Sequence, residues 1–345
     1  MSEVASAPLL AVRDLSVKFA TEGGVVQALS GVSFDVPRGK VTGLMGESGC
    51  GKSVTALSIV RLLPEPASRI SSGQILFDGT DLRTVSERAL EQVRGKKIGF
   101  VFQDPLASLN PVYRVGSQIV EAIRLHDRVS RSQAKARAIE LLRRVGVPQP
   151  EERAEAYPHE LSGGLRQRVM IAIAIACSPS LLIADEPTSA LDMVTQRQII
   201  LLFHDLVRTA GTSLLLIAHD PALLAELSDE IVVLYAGQVV ERGPASRLLA
   251  EPSHPYTRAL LRSVLPDDLA DPARSQGKGT LSPRMPIPAI EGSPPDLRSP
   301  PTGCRFRPRC DVAIDRCATE EPPLVQLGRS RGDTRCFLAG EGKSS

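Results

Sequence analysis

The sequence predicts an α/β fold built on a parallel sheet, with a small Cys-containing C-terminal extension, and three observations predict it. Apolar runs of parallel-strand type ("KVTGLMG", "LLIADE", "SLLLIAH") alternate with segments of helical spacing. A glycine-rich loop follows the first of these strands and opens a helix. From about Glu251 the composition changes: Pro, Arg and Ser accumulate through "SPRMPIPAIEGSPPDLRSPP", and four of the six cysteines follow.

Taken in order, "LLAVRDLSVKF" and "ALSGVSFDV" are the alternating strands of a meander, with "EGG" at Glu22 to Gly24 as a turn. "KVTGLMG" is a buried strand, and "KSVTALSIVRLL" is a helix that stops before Pro64. "GQILFDG" and "KIGFVFQ" are two further strands. "VGSQIVEAIRLH" and "SQAKARAIELLRRVG" are amphipathic helices, the second capped by Gly146. "LLIADE" and "SLLLIAH" are buried strands with helices between and after them, and "DEIVVLYAGQVVERG" is a closing hairpin. There is no internal repeat. The resulting division is a main domain over 1–250, with a helical part at about 104–168, and an extension over 251–345.

Composition narrows the function. Across 345 residues, 42% hydrophobic and 23% charged content supports a sizeable core and excludes wholesale disorder. The net charge of +2 implies no broad basic surface and argues against a nucleic-acid partner. No apolar run is long enough to span a membrane. "MSEVASAPLL" lacks the basic and apolar regions of a signal peptide, so a cytoplasmic location is expected.

The glycine-rich loop, Gly46-Glu47-Ser48-Gly49-Cys50-Gly51-Lys52-Ser53, fits the phosphate-loop pattern G-x-x-x-x-G-K-[ST] without a mismatch. Its glycines let backbone N–H groups turn inward around phosphate oxygens, and the helix N-terminus adds partial positive charge. Lys52 is expected to reach the β/γ-phosphates of a nucleotide and the Ser53 hydroxyl to hold Mg²⁺. The thiol of Cys50, beside those amides and Lys52, is expected either to be merely a small filler or to have a lowered pKa. Asp185 and Glu186 end a buried strand, where Asp185 suits the metal and Glu186 an attacking water. These features define a P-loop NTPase.

Leu161-Ser162-Gly163-Gly164-Leu165, followed by "RQR", resembles the signature motif of ATP-binding cassette (ABC) ATPases. The fold implied is a RecA-like core with an antiparallel β subdomain and a helical subdomain. The resemblance implies that Gln103 is the Q-loop residue, contributing to catalysis and to Mg²⁺, and that Ser189-Ala190-Leu191-Asp192 is the D-loop. By the same resemblance His219 is the switch histidine, and Phe19 is the best candidate to stack on adenine, with core packing as its other reading. Ser162 and the amides of Gly163 and Gly164, at a helix N-terminus, form a second anion site. In the family that site faces the γ-phosphate held by the opposite subunit, so two ATP molecules lie between two cassettes. Leu165 departs from the glutamine many members carry at the fifth signature position.

"QDPLASLNPVYRVGSQI", "YPHELSGG" and His254-Pro255-Tyr256-Thr257 resemble the ATPase subunits of dipeptide/oligopeptide importers, and with the tail the likeness covers essentially the whole chain. It implies an ATPase that energises peptide import from the cytoplasmic face of the inner membrane. The implied partners are two membrane permease subunits, a second homologous ATP-binding subunit and an extracytoplasmic substrate-binding protein. Leu106 to Gln118 would face a permease. Nickel or glutathione is the alternative cargo. A soluble ABC ATPase acting on nucleic acid is disfavoured by the single phosphate loop and the small net charge. A non-hydrolysing regulatory cassette is disfavoured by the presence of both Glu186 and His219.

Cys304, Cys310, Cys317 and Cys336 follow the linker in a C-x5-C-x6-C-x18-C arrangement. A segment so small and poor in large apolar residues needs a staple. Disulfides are disfavoured in the cytosol, which leaves a Zn²⁺ site or an iron–sulfur cluster, with free thiols as the third reading. Zinc sites usually present close C-x₂₋₄-C pairs, which are lacking here, and wider spacings suit a larger cubane. Members of the importer family with this tail are taken to hold a [4Fe–4S] cluster. Arg305, Arg307, Arg309, Arg316 and Arg335 are expected to offset its negative charge.

Overall fold

The computed structural model describes residues 7–189, 191–264, 290–328 and 331–339. Ala190 of the D-loop, residues 265–289 with the start of the Pro-rich stretch, and the first six residues lie outside them. In chain order the first half contains β1 (Leu10–Thr21), β2 (Gly24–Val36), β3 (Val41–Met45), α1 (Lys52–Ile59), β4 (Ser68–Phe77), β5 (Thr80–Asp81), α2 (Glu87–Glu91) and β6 (Ile98–Val101). Helices α3 (Pro105–Ser108), α4 (Val115–His126), α5 (Arg131–Arg144), α6 (Pro150–Arg153) and α7 (Gly163–Ala174) follow. Then come β7 (Leu181–Asp185), α8 (Met193–Arg208), β8 (Ser213–Ile217), α9 (Pro221–Leu227), β9 (Glu230–Tyr235), β10 (Gln238–Pro244), α10 (Ala245–Ala250) and α11 (Pro255–Val264). The extension adds α12 (Arg316–Thr319), β11 (Val325–Gln326) and β12 (Asp333–Thr334).

The main sheet is eight-stranded in the order β11-β12-β10-β9-β3-β8-β7-β6. From β9 to β6 every pairing is parallel. Alternation along its strands builds both sides of the core. Leu214 and Leu216 of β8 face the helical side, and Leu215 and Ile217 face the antiparallel sheet β2-β1-β4-β5. Burial on both faces explains why these strands read as continuous apolar runs rather than as alternating ones. Ser130 and Gln133 form a capping box at the start of α5, and Gly146, at φ 76°, turns the chain away from its end. Helix α1 is shorter than the sequence suggests: it stops at Ile59, because the backbone leaves the helix at Val60 and Arg61 takes a φ of 52°. Among the described residues, no helix is long and apolar enough to cross a membrane.

The extension does not stand apart. Strand β12 pairs antiparallel with β10 (Glu241 with Thr334, Arg242 with Asp333), and β11 pairs with β12, so the tail lengthens the main sheet. Arg242 and Asp333 also form an ion pair at 2.5 Å. Phe306 is 2% exposed and packs edge-on against Tyr235 and Tyr256, with ring centroids 5.2 and 5.4 Å away. The expectation that this segment is too poor in large apolar residues to bury much core is therefore corrected. It borrows the sheet edge and the aromatic core of the main domain.

His254 lies in this junction, fully buried. Its Nδ1 accepts the Tyr256 N–H at 3.0 Å, and its own N–H donates to the Glu241 carboxylate at 3.0 Å. Burial pushes the His254 pKa down to about 3, with the charges of Arg335 and Arg258 acting the same way. Stability from a neutral buried histidine is complete above the unfolded pKa and is lost as pH falls below it. Between pH 7 and pH 5 the expected loss from His254 is about 2 kcal/mol. Burial raises the pKa of Glu241, so its protonation works against that loss. Urea unfolding at the two pH values should show a smaller pH difference for His254→Gln than for the native chain. Equal differences would assign the acid sensitivity elsewhere.

Candidate active site

The phosphate loop runs from the end of β3 into α1. Gly46 takes a φ of 152°, and a Cβ there would lie 2.3 Å from the Leu234 carbonyl oxygen. At Gly51, φ 111°, a Cβ would meet the Leu29 side chain at 2.6 Å. Both positions exclude a side chain, as a backbone cradle requires. Gly51 caps α1 without a side-chain hydrogen bond, so the first N–H groups of the helix stay available to an anion. Lys52 is 6% exposed, and its ammonium donates to the carbonyls of Gly46 (2.7 Å) and Glu47 (3.0 Å). The cation is thus held across the mouth of the loop.

Of the two readings of Cys50, the structure supports the small filler. It is 4% exposed, and burial raises its thiol pKa more than Lys52 lowers it. The residue is a buried filler, not an activated nucleophile.

At the end of β7, Asp185 is buried, and the Ser53 hydroxyl is near enough to act on its carboxyl. Burial raises its pKa, and its Oδ1 has no hydrogen-bond partner. An orphaned buried carboxylate oxygen beside a hydroxyl is a donor set that fits Mg²⁺. Glu186 follows with a φ of 47°, an uncommon backbone state for a non-glycine residue, held by its N–H donating to the Ile217 carbonyl at 3.0 Å. Its Oε2 accepts from Gln103 Nε2 at 3.1 Å and lies 3.5 Å from His219 Nδ1. Gln103 follows β6 and His219 follows β8, so the ends of adjacent parallel strands bring all three residues together.

Ser162 caps α7, its hydroxyl accepting the Leu165 N–H at 3.4 Å. Asp192 caps α8: its Oδ1 accepts from Val194 and Thr195 N–H at 3.0 Å each, and Oδ2 accepts the Thr195 hydroxyl at 2.7 Å. These bonds hold the Asp192 carboxyl below the usual carboxylate range. Gly163 and Gly164 open α7, and a Cβ at Gly164 would approach Thr195 to 3.1 Å, which brings the signature up to the start of α8. Among the described residues, no hydrogen bond joins Ser162, Gly163 or Gly164 to the phosphate loop. Phe19 is half-buried on β1, opposite Val26 and Ser68.

Comparison with known proteins decides the family. Residues 29–189 match the family model described as ABC transporter. Residues 240–317 match the one described as oligopeptide/dipeptide transporter, C-terminal region. A probable peptide ABC transporter ATP-binding protein of Sinorhizobium fredii is 48% identical over 92% of this chain and 92% of its own length. The dipeptide transport ATP-binding protein DppD of Escherichia coli is 46% identical over 94% of both chains. This chain belongs to the ATP-binding subunits of the oligopeptide/dipeptide ABC transporter family. Its cassette is also similar to a solved dimeric ATP-binding cassette in a post-hydrolysis state bound to ADP and Pi, with a TM-score of 0.63 and 27% identity. That match covers 68% of this chain and 98% of the other.

Within this ABC subunit the site has three supports that sequence reasoning missed. Tyr256 Oη accepts the Glu47 N–H at 2.8 Å. The Gly237 N–H, in the turn between β9 and β10, donates to the Cys50 carbonyl at 2.9 Å. Arg309 of the extension binds the Glu47 carboxylate with both terminal nitrogens, at 2.7 and 2.9 Å. Tyr256 stood in the "HPYT" run read as a family mark, and nothing in the sequence tied it to the loop.

The four tail cysteines lie near one another in the extension. Cys317 is buried and the other three are half-buried, and the Cys304 N–H donates to the Cys317 carbonyl at 2.9 Å. Burial raises the thiols of Cys304, Cys336 and Cys310, the last to about 11, and Cys304 and Cys310 are raised further by neighbouring cysteines. Four soft donors in one region suit zinc or an iron–sulfur cluster in kind. Among the described residues, however, no set of three or more His, Cys, Asp or Glu is arranged to hold an ion. Four of the five arginines expected to balance a cluster have partners elsewhere: Arg309 with Glu47, Arg305 with the Ala236 carbonyl at 2.5 Å and Arg316 with Glu320 at 2.8 Å. Arg335 bonds the Val239 carbonyl at 3.0 Å.

Proposed function

We propose that this chain energises import of di- and oligopeptides by binding ATP between two cassettes and hydrolysing it on cassette closure. The observation that carries the hydrolytic part is the meeting of Gln103, Glu186 and His219 beside the phosphate loop. In this reading the loop amides and Lys52 bind the β/γ-phosphates, and Ser53, Asp185 and Gln103 hold Mg²⁺, which when bound screens the phosphate charge. Glu186 takes the proton of the attacking water, Gln103 orients that carboxylate, and His219 contacts the γ-phosphate region. Ser162, Gly163 and Gly164 close over the ATP held by the opposite cassette, Asp192 fixes the start of α8 at that boundary, and Phe19 stacks on the adenine.

The peptide cargo rests on the match of the C-terminal region and on the likeness to peptide and dipeptide transport ATP-binding proteins. The same reading places the chain on the cytoplasmic face of the inner membrane, with two permease subunits, a second and related ATP-binding subunit, and an extracytoplasmic substrate-binding protein. It divides the chain into a cassette over 1–250 and an extension over 251–345. Purification of the tagged chain from membranes should recover both permeases, and the ATPase of that complex should rise when dipeptide-loaded binding protein is added. Stimulation by nickel or glutathione in place of peptide would overturn the cargo and leave the ATPase standing.

We further propose Cys304, Cys310, Cys317 and Cys336 as ligands of a [4Fe–4S] cluster, with Zn²⁺ as the alternative, on the gathering of the four thiols. Anaerobic purification with iron, sulfide and zinc analysis tests this. About four irons and four sulfides per chain are expected for the cluster, and metal-free protein would reject both ions.

A further inference from the structure

We propose that Arg309, in the C-terminal extension, is a positioning residue for nucleotide binding that acts through Glu47 of the phosphate loop. The inference rests on the reading of Gly46 to Ser53 as the phosphate cradle. Glu47 places a carboxylate inside a loop that must accept a triphosphate, and a free negative charge there opposes the ligand. Arg309 cancels that charge with a two-pronged ion pair at 2.7 and 2.9 Å.

The arginine is built for this position. Its side chain is 4% exposed. Nε donates to the Glu291 carbonyl at 3.0 Å, Nη2 also donates to the Ile290 carbonyl at 3.2 Å, and Nη1 reaches Tyr235 Oη at 3.4 Å. With the two bonds to Glu47, all five N–H groups of the guanidinium have a partner. The same residue, Glu47, gives its N–H to Tyr256 and its carbonyl to Lys52, at 2.8 and 3.0 Å. Movement at Glu47 is thereby passed to the ammonium that would bind the phosphates. The extension thus fixes both the shape and the charge of the loop, across a separation of 262 residues.

Removing one member of a buried pair leaves the other uncompensated, whereas removing both charges relieves the cost. Charge compensation and mere bracing therefore predict different double variants. Calorimetric titration of the full chain with Mg-ATP should show the Kd of Arg309→Met raised about tenfold. Adding Glu47→Gln to that variant should bring the Kd back to within about threefold of the native value. Arg309→Gln is read in the same way should Arg309→Met fail to fold. Native affinity in the Arg309 variants, or a double variant no better than the single one, would overturn the proposal. Failure of the native chain to bind ATP would instead overturn the phosphate-cradle reading.

Discussion

Glu186→Gln is expected to slow ATP hydrolysis by about 10²- to 10⁴-fold while leaving ATP bound. The substitution keeps the shape of the side chain and removes its charge and basicity. The Glu186 carboxylate is presented by a strained backbone, φ 47°, at the end of a buried strand, with one oxygen 3.1 Å from the Gln103 amide and 3.5 Å from His219. A glutamine can still bond to Gln103, so the site should stay folded and the ATP-bound, closed cassette pair should accumulate. Single-turnover hydrolysis with labelled ATP separates binding from chemistry. Native hydrolysis rates in this variant would remove Glu186 from the reaction.

The second large effect falls on binding. Lys52→Ala deletes an ammonium that is 6% exposed and bonded to the Gly46 and Glu47 carbonyls. A charge-assisted hydrogen bond is worth about 1.5–3 kcal/mol, so ATP affinity should fall by about 10- to 150-fold. Two effects combine: the phosphates lose a cation, and two carbonyls of the loop lose the donor that holds them inward. Titration with ATP checks the value, and unchanged affinity would contradict the role of the phosphate loop. The pair of variants divides the site, since Lys52 should act on Kd and Glu186 on the chemical step.

Much of the site was legible because its chemistry demands fixed residue types at strand ends. Asp185 ends a buried parallel strand, Glu186, Gln103 and His219 stand just past one, and Lys52 opens the helix that follows another; apolar runs of that kind are plain in a sequence. The antiparallel hairpins and the two amphipathic helices were legible for the same reason of periodicity. The supports of the site were not. An ion pair such as Glu47–Arg309 has no local pattern, and its partners meet only because the extension folds back over the turn between β9 and β10. Strands β11 and β12, two residues each, are too short to leave a periodic trace, so the tail looked coreless when it shares the core of the main domain. The lowered-pKa alternative for Cys50 failed on burial: the nearby cation is visible in the sequence, the desolvation is not.

Uptake of a labelled dipeptide by cells lacking this chain tests the central claim most directly. Reintroducing the native chain should restore ATP-dependent uptake, and reintroducing Glu186→Gln at the same level should not. Undiminished uptake in the cells without the chain, or full restoration by Glu186→Gln, would contradict the account.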